Sequence, residues 1–416
     1  MFDEKLKKIH ISTAEQILYA FKLIYSANNF YEYANGFYRR MDKAELSKYV
    51  STILGDDFST HRLEETISYL KTKIYFKHEA LNNTELLNLK NGLLNLKSFE
   101  LTPHSKDVYS TIQLPVNYNP AAICPLWLKT ISEIFDGNQQ KINVLQEFFG
   151  LCFTRLVKYE RALFLIGEGA NGKSVLLSVL QYVIGKGNYS VIPLEKFDKG
   201  PYVVNLFGKL ANISIETNAK SSVYDSTFKA IVSGDEIIAD EKFIPTINFR
   251  PFCKLIFALN NMPRVDDKTS AFFRRLLILR FNRIFTTELQ NKTLKFELLE
   301  EADGIFLWCL EGLKRLEARG DFESFKEMRQ EVEEYRKENN NVLVFVEEKC
   351  LLGPEYSVPK DQFYLNYSQW CKDHGNFPLQ MIRFGKEFRK QFPAVIDDRT
   401  SGARCWRGVK FNKLGC

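Results

Sequence analysis

Hydrophobic and polar positions in the first 120 residues follow two different periods. Apolar side chains recur at helical spacing in three segments: QILYAFKLIYSA, AELSKYVSTIL and RLEETISYLKTKIYF. Ser12 and Glu15 precede the first segment with the spacing of a capping box, and Asp42 can cap the second. Asn35–Gly36 and Asn91–Gly92 lie between strand-like runs, as expected of tight hairpin turns. This region is therefore predicted to form a mainly helical domain with hairpins.

From about residue 120 the pattern changes to short apolar runs separated by helix-like stretches. ALFLI, LANISI and CKLIFAL have the length of buried parallel strands, which predicts an α/β core in which a parallel sheet is flanked by helices. EIIA and FIPTINF predict two strands that fold back at residues 240–242. The end of the chain combines two helix-like segments with the strand-like ARCWRGVKF in a terminal β-ribbon, which predicts a winged-helix-like domain. The predicted regions are the mainly helical domain (1–120), the α/β core (121–290), a helical connector (291–340) and the winged-helix-like domain (341–416).

Composition limits the class of protein. A chain of 416 residues is too long for one ordinary hydrophobic core, so several domains are expected. No apolar run approaches the roughly 20 residues that span a bilayer, and the eight cysteines form no Cys-x-x-Cys pair. A soluble, cytoplasmic protein without membrane contacts is therefore expected. Cys371 and His374 have metal-ligand spacing, but no second pair completes a zinc site, so packing is the favoured role.

The net charge of +6 is unevenly distributed. Residues 376–416 contain nine basic and three acidic side chains, so the whole excess lies in the last tenth of the chain. A basic end is typical of a protein that binds a polyanion, most often nucleic acid, but it is equally typical of a solvated helix face. The basic side chains on the second predicted helix of this region are Arg383, Lys386, Arg389 and Lys390.

The segment GEGANGKS, residues 167–174, lies between the strand-like ALFLI and the helix-like VLLSVLQYVIG. It fits the pattern G-x-x-x-x-G-K-[ST], in which glycines let consecutive backbone N–H groups surround an anion at the start of a helix. Lys173 supplies a positive charge for the β- and γ-phosphates, and the Ser174 hydroxyl is a ligand for Mg²⁺. The segment therefore predicts binding of a nucleoside triphosphate. The predicted nucleotide-binding residues are Gly167, Glu168, Gly169, Ala170, Asn171, Gly172, Lys173, Ser174 and Val175.

Further polar side chains lie at the ends of predicted strands and at the predicted hairpin. Glu216 follows LANISI, where a carboxylate can hold the metal and position water. Asn260 follows KLIFAL and can sense the γ-phosphate, although asparagine is also an ordinary turn residue. Arg274 and Arg275 precede LLILRF and either form a solvated face or reach a neighbouring subunit's phosphate. Lys242, near the tip of the predicted hairpin, suits contact with a phosphate backbone, although most such lysines are simply surface residues.

The order of these segments resembles that of superfamily 3 helicases. A phosphate-binding loop, an acid after the next strand, a hairpin, an asparagine after the third strand and an arginine before LLILRF follow one another as in that family. The flanking segments NLKNGLLNLKSFELTPHS, LPVNYNPAAICPLWLKTI and EADGIFLWCLEGLKRL look like the helicase part of phage and plasmid primase-helicases, which are kin of the poxvirus D5-type NTPase. The similarity extends from about residue 20 through the basic end.

This resemblance implies an AAA+ P-loop ATPase core in a homo-hexameric ring that hydrolyses ATP, with Mg²⁺, and translocates on single-stranded or forked DNA. The N-terminal region would form a collar, and the winged-helix-like domain would bind DNA or a partner. Lys173 and Ser174 match the phosphate-binding loop of the family, and Glu216 its Walker B acid. Asn260 matches the polar sensor and Arg275, rather than Arg274, the arginine finger. Lys242 corresponds to the DNA-gripping lysine of the hairpin.

Two features depart from the family pattern. Many relatives have two acids at the Walker B position, whereas Thr217 follows Glu216 here. Relatives also often have a primase or polymerase module, which would lie in the same or another chain, and no priming chemistry is assigned to this sequence. The sequence favours a replicative DNA helicase. An ATP-switched initiation protein that binds an origin or a partner without processive unwinding is the alternative, and a small-molecule kinase is disfavoured because no acceptor pocket is recognisable.

Overall fold

A computed structural model describes residues 9–197, 200–215, 225–241, 244–263, 265, 270–286, 288, 290–400 and 403–412. The chain divides into two compact units. The first unit consists of Met1–Asp266 and Arg274–Phe325, and the second of Asp267–Phe273 and Lys326–Cys416. The predicted division into four regions stays a prediction.

The N-terminal part of the first unit contains more β structure than the sequence pattern predicts. Leu23–Ser26, predicted as the continuation of the first helix, is instead a strand that pairs with Asn29–Ala34. Ala27 and Asn28 have positive φ angles of 47° and 61°, so they form a tight turn that ends the helical pattern. The predicted capping box is also wrong, because Ser12 lies inside the helix Ile9–Ala20. The elements of residues 9–73 are α1 (Ile9–Ala20), β1 (Leu23–Ser26), β2 (Asn29–Ala34), β3 (Phe37–Met41), α2 (Lys43–Leu54) and α3 (Thr60–Lys73).

Both predicted hairpins are present. β2 and β3 flank Asn35–Gly36, whose φ angles of 53° and 91° are those of a left-handed turn. In the second hairpin Leu89 pairs with Gly92, so the turn residues are Lys90 and Asn91, one position earlier than predicted. This hairpin belongs to a three-stranded antiparallel sheet of β4 (Leu86–Leu89), β5 (Gly92–Asn95) and β6 (Leu101–Thr102).

A five-stranded parallel sheet forms the centre of the first unit, as the apolar runs predict. Four of its strands are buried at every position before their last residue, because helices and loops cover both faces: Ala162–Ile166, Ala211–Ile215, Lys254–Leu259 and Leu276–Arg280. The strand order is β13-β7-β12-β9-β8, and every neighbouring pair is parallel. The strands are β7 (Ala162–Ile166), β8 (Tyr189–Ser190), β9 (Ala211–Ile215), β12 (Lys254–Leu259) and β13 (Leu276–Arg280).

The predicted hairpin between the second and third apolar runs is confirmed as β10 (Ile237–Glu241) paired antiparallel with β11 (Ile244–Phe249). Lys242, predicted near its tip, lies outside the described residues.

The helices around the sheet include a tightly packed pair. Gly150 and Gly312 allow this pair to approach closely, since an added Cβ at Gly312 would lie 2.5 Å from the backbone of Gln146. The buried Glu147 carboxylate joins the two helices through Arg315, at 2.8 Å, and through Arg319. The pair consists of α5 (Gln139–Leu151) and α11 (Ala302–Arg319). The other helices of the first unit that follow the N-terminal part are α4 (Pro125–Ile134), α6 (Lys173–Ile184), α7 (Gly200–Val203), α8 (Asp225–Ser233) and α10 (Leu294–Glu300).

The second unit has its own aromatic core and a three-stranded antiparallel sheet of order β14-β16-β15. The two helices predicted here are present, and the strands Ile396–Thr400 and Ala403–Phe411 form a terminal ribbon as predicted. The helix Asn341–Lys349 and the strand Cys350–Pro359 have no counterpart in the prediction. Core side chains include Phe345, Phe363, Tyr367, Phe384, Phe388 and Trp406. The elements are α9 (Ser270–Phe273), α12 (Lys326–Glu338), α13 (Asn341–Lys349), β14 (Cys350–Pro359), α14 (Lys360–Asp373), α15 (Met381–Gln391), β15 (Ile396–Thr400) and β16 (Ala403–Phe411).

Two expectations from composition can be compared with the described residues. Among the helices described, none combines the length and apolar character needed to cross a bilayer. In the same part of the chain the cysteines are buried and form no disulfide bond, and no group of three or more His, Cys, Asp or Glu side chains could hold a metal ion. Cys371 is a core residue, and His374 is stacked on Trp370.

Candidate nucleotide-binding site

The phosphate-binding loop connects the end of β7, at Ile166, to the start of α6, at Lys173. Gly172 immediately precedes the helix with a φ of 87°, a left-handed conformation that an L side chain rarely adopts. An added Cβ at this position would also lie 2.6 Å from Cδ1 of Ile134. Backbone conformation and the lack of space therefore both require glycine at position 172, whereas Gly169 has open space around it.

Lys173 is nearly buried, with 7% of its surface exposed. Its ammonium donates hydrogen bonds to the carbonyl oxygen of Gly167 and, at 3.0 Å, to Oδ1 of Asn171. Burial lowers the pKa of this lysine, because desolvation disfavours its charged form. A phosphate oxygen would replace these neutral acceptors with a negative charge, which is a stronger partner for an ammonium in a poorly solvated position.

A cavity of about 530 Å³ opens over this loop. Residues Gly169 to Val175 line it, but Gly167 and Glu168 do not. Asn260 also lines it, because β12 lies beside β7 and Leu259 pairs with Ile166 in register. The exposed side chain of Asn260 therefore follows the strand next to the loop. The predicted acid Glu216 follows Ile215, which lines the cavity, but Glu216 itself lies outside the described residues.

Other residues line the cavity without having been predicted from the sequence. They come from α4 and from the irregular segment before α10, neither of which carries a motif for nucleotide binding. Their mixture of apolar, amide and basic side chains is suited to a base and ribose beside the phosphate-binding loop. These residues include Leu126, Lys129, Thr130, Ile134, Phe285, Gln290, Asn291 and Lys292.

The two arginines lie at the opposite edge of the sheet, where β13 begins. The carbonyl oxygen of Arg275 accepts a hydrogen bond from the N–H of Ala162, the first residue of β7. The loop lies after the last residue of β7. Five strand residues span about 16 Å, so the arginines and the loop of one chain are separated by roughly that length.

The neighbouring arginines differ in their surroundings. Arg275 is 7% exposed, and its guanidinium donates to Oε2 of Glu160 at 2.8 Å and to Oγ of Ser233 at 2.7 Å. The side chain of Arg274 is 62% exposed and lies 3.9 Å from the same carboxylate. Arg275 would therefore have to leave its ion pair with the half-exposed Glu160 to reach another molecule, whereas Arg274 already faces solvent.

The basic side chains predicted on α15 also differ from one another. Arg383, Lys386 and Lys390 are exposed. Arg389 instead donates to Oδ2 of Asp397 at 3.0 Å, so part of its charge is neutralised within the second unit.

Three family models match successive parts of the chain. Residues 14–136 match the family described as D5 N terminal like, and residues 337–412 match the family described as poxvirus D5 protein-like. The predicted D5-type resemblance is confirmed. Between these D5-type segments, residues 165–275 match a family of unknown function, DUF5906. This central match contains the phosphate-binding loop, Asn260 and both arginines.

Solved structures share the fold of this chain. An apo structure of the C-terminal region of NrS-1, the A form, has a TM-score of 0.57 at 13% identity, over 95% of this chain and 98% of that one. Another apo structure of the same region has a TM-score of 0.54 at 13% identity, over 97% and 100%. At this identity the likeness concerns the fold.

A curated relative is a leucine-rich repeat and coiled-coil domain-containing protein of Plasmodium falciparum, 27% identical over 177 residues. The match covers 40% of this chain but only 16% of that relative's length.

Proposed function

We propose that this chain is an ATP-dependent DNA helicase motor for the replication of phage or plasmid DNA. The observation that carries the proposal is the cavity over the phosphate-binding loop, which brings together Lys173, Ser174 and Asn260 at the carboxyl edge of a parallel sheet. The D5-type segments on both sides of this core support a replicative role. The activity would take place in the cytoplasm, of the host cell if the chain is phage-encoded.

In this proposal ATP lies over the loop, with its β- and γ-phosphates bound by Lys173 and by the backbone N–H groups of residues 169–175. Ser174 and Glu216 would hold Mg²⁺, which neutralises charge on the transferred phosphoryl group. The exposed Ser174 hydroxyl lines the cavity and suits this ion, since Mg²⁺ commonly takes one or two protein ligands beside phosphate oxygens. Asn260 would orient the attacking water.

We propose that hydrolysis is completed between subunits of a homo-hexameric AAA+ ring. The phosphate-binding loop and the arginine pair lie at opposite edges of one sheet, so one chain cannot bring both to the same nucleotide. A neighbouring copy can supply the positive charge, with Arg275 as the finger that the family resemblance indicates. The exposure of Arg274 favours it as a second candidate for this role.

The DNA track would be gripped by Lys242 on the β10–β11 hairpin, assisted by Arg383, Lys386, Arg389 and Lys390. The second unit has the order helix, strand, helix, helix, strand, strand from α13 to β16, which supports a winged-helix assignment for it. A primase or polymerase module in the same or another chain is the partner that such a motor would serve.

The exposed basic side chains of α15 favour an alternative function, that of an ATP-switched protein that binds an origin or a partner. In that case the basic second unit would provide most of the DNA affinity. Removing the chain after residue 341 separates the two functions: a motor keeps single-strand-stimulated ATPase activity, whereas an initiation protein loses its DNA affinity.

The test of the proposed function measures ATPase activity with and without single-stranded DNA, together with unwinding of forked substrates of both polarities. We expect stimulation by the single strand that weakens as salt rises, because phosphate contacts release counterions. The Lys173→Ala variant, which lacks the phosphate-binding ammonium, is the control for contaminating ATPases. Activity that does not respond to DNA, or stimulation without any strand separation, would contradict the motor.

A further inference from the structure

A second cavity of about 400 Å³ lies in the first unit, away from the nucleotide site. It is formed by the N-terminal sheet, by the segments that precede β8 and β9, and by the middle of the β10–β11 hairpin. Because those segments precede their strands, this cavity lies at the amino edge of the parallel sheet, opposite the phosphate-binding loop. We call it the basic cavity, after its cationic lining residues Arg39, Arg40, Lys186 and Lys209.

The charge of the basic cavity is largely unneutralised. Arg39 is paired with Glu32 and Glu45, but Arg40, Lys186 and Lys209 form no ion pair with any residue that the structure describes. None of the described lining residues is acidic. Like charges held together without an anion raise the free energy of the folded state, and a bound anion would lower it.

Lys209 shows the effect of this concentration of charge. Its pKa is lowered, first by burial and then by the nearby positive charge of Arg40. Its ammonium donates to the carbonyl oxygen of Gly187, which belongs to the same cavity wall. Lys186 lies just after the C-terminus of α6, where a cation is favoured by the helix dipole. These local roles account for each lysine alone, but not for their convergence with Arg40 on one cavity.

Aromatic side chains lie beside these cations. Tyr31, Phe37 and Phe207 line the basic cavity, and Phe207 packs edge-on against Phe249 of β11 at 5.4 Å. Cations interleaved with aromatic rings are characteristic of proteins that bind single-stranded nucleic acid, because the phosphates meet charge and the bases stack. A volume near the lower end of ordinary ligand pockets, about 300–1,000 Å³, suits one nucleotide unit.

The position of the basic cavity connects it to the hairpin. Ala239 and Ile247 are paired across β10 and β11, and both line the cavity. A strand gripped near the hairpin tip can therefore continue along the hairpin toward its base.

We propose that the basic cavity binds a phosphate of the single-stranded DNA track, through Arg40, Lys186 and Lys209, with one nucleotide against the aromatic wall. This inference rests on the proposed motor function and adds a second point of contact to it. The group that the cavity would recognise is a phosphate, which could come either from the DNA strand or from a free nucleotide.

The test compares the double variant Arg40→Gln/Lys186→Gln with Lys48→Gln, which removes an exposed lysine from α2 outside the cavity. Binding of labelled oligo-dT is measured by fluorescence anisotropy over a series of salt concentrations. One phosphate contact contributes about 0.7 to the salt slope for single strands, and the cavity is proposed to bind one phosphate, so the double variant should lower the slope by about 0.7. The Lys48→Gln variant should bind as the wild type does.

A second measurement uses the charge-reversal variant Lys186→Glu, in which the new carboxylate places a negative charge in the cavity. We expect weaker oligo-dT binding than with Lys186→Gln, and a thermal midpoint no lower than that of the wild type. If the wild type binds oligo-dT and the double variant has the same affinity and slope, the cavity proposal is overturned while the proposed function stands. If the wild type binds no oligo-dT, both are overturned.

A further experiment tests whether the basic cavity binds a free nucleotide. Because the Lys173→Ala variant lacks the ammonium of the phosphate-binding loop, labelled ATP bound by this variant reports a second nucleotide site. The strand proposal expects no ATP binding that depends on Arg40 and Lys186. The triple variant combines Lys173→Ala with Arg40→Gln and Lys186→Gln. If ATP binding persists in Lys173→Ala but disappears in the triple variant, while oligo-dT binding is retained, the ligand of the basic cavity is a free nucleotide instead.

Discussion

The carboxyl and amino edges of the five-stranded sheet present charge in different ways. At the carboxyl edge, the phosphate-binding loop itself supplies backbone N–H groups and one nearly buried ammonium, that of Lys173. At the amino edge, charged side chains predominate. Arg275 is paired with Glu160, and the buried Lys254 donates to the carbonyl oxygens of Phe252, at 2.7 Å, and Thr154. Burial lowers the pKa of Lys254 to about 8.

The difference between the edges has a functional consequence. In the proposed function, the loop of backbone donors would hold the phosphates but offer little charge to stabilise a transition state, whereas the amino edge has guanidinium groups but no such loop. Each edge therefore lacks what the other has. Side-by-side assembly of copies can bring the two edges together, and the predictions that follow test whether the edges function as such a pair.

The largest expected effect belongs to the amino edge. Arg275→Ala should reduce kcat for ATP hydrolysis by about 10³-fold or more while ATP binding persists, because an arginine finger stabilises charge only in the transition state. Turnover and nucleotide binding are measured separately, and Arg274→Ala is the matched variant. When Arg275→Ala subunits are mixed with wild-type subunits, the ATPase activity should fall by more than the fraction of variant subunits in the mixture. Full turnover by Arg275→Ala together with loss of turnover in Arg274→Ala would assign the finger to Arg274.

A smaller loss is expected at the carboxyl edge from Asn260→Ala. Removing one polar group that orients water or contacts the γ-phosphate should reduce kcat by about 10²-fold, with little change in the affinity for ATP. Single-turnover hydrolysis separates this chemical step from product release. The neighbouring Asn261→Ala is the control, since Asn261 does not line the described cavity. Equal losses in both variants would indicate a disturbed strand end rather than a sensor.

The two edges also differ in how far the sequence alone could predict them. The phosphate-binding loop is a contiguous motif, and the need for its glycines and its lysine follows from the loop itself. GEGANGKS therefore specifies its own conformation. The buried strands were predictable for a similar reason, because continuous apolar runs such as KLIFAL need two covered faces. The amino edge is assembled from distant segments: the partner of Arg275 is Glu160, more than 100 positions earlier. No local pattern indicates such a pair.

Tertiary pairing also accounts for the part of the fold that was predicted wrongly. Residues 23–26 have helical spacing, but Tyr25 lies opposite Phe30 in β2, its N–H donates to the carbonyl oxygen of Ile74, and its own carbonyl oxygen accepts from the N–H of Phe76. These non-local hydrogen bonds override the local pattern. The nucleotide-cavity residues Phe285 and Gln290 were not predictable either, since they lie in an irregular segment that only the folded chain brings beside the loop.

A structural test of the carboxyl edge uses its glycines. Gly172→Ala should lower the free energy of unfolding by about 1–2 kcal/mol, because the φ of 87° is strained for alanine and the added Cβ meets Ile134. Gly169→Ala is the control, since open space surrounds that position. Urea unfolding with and without ATP measures both stability and ligand stabilisation. Equal destabilisation by both substitutions would show that the loop adopts another conformation in solution.

The smallest expected effect is that of Glu160→Gln at the amino edge. The Glu160 side chain is 40% exposed, and glutamine keeps an acceptor for the Arg275 guanidinium, so the free energy of unfolding should fall by no more than about 1 kcal/mol. Turnover should be retained, because the variant weakens the bond that Arg275 must break to reach a neighbour. Thermal unfolding and steady-state ATPase assays measure the two effects. A loss of about 3 kcal/mol or more would instead indicate that the ion pair holds the amino edge together, in which case Arg275 is a structural residue and the exposed Arg274 is the side chain available to a neighbouring subunit.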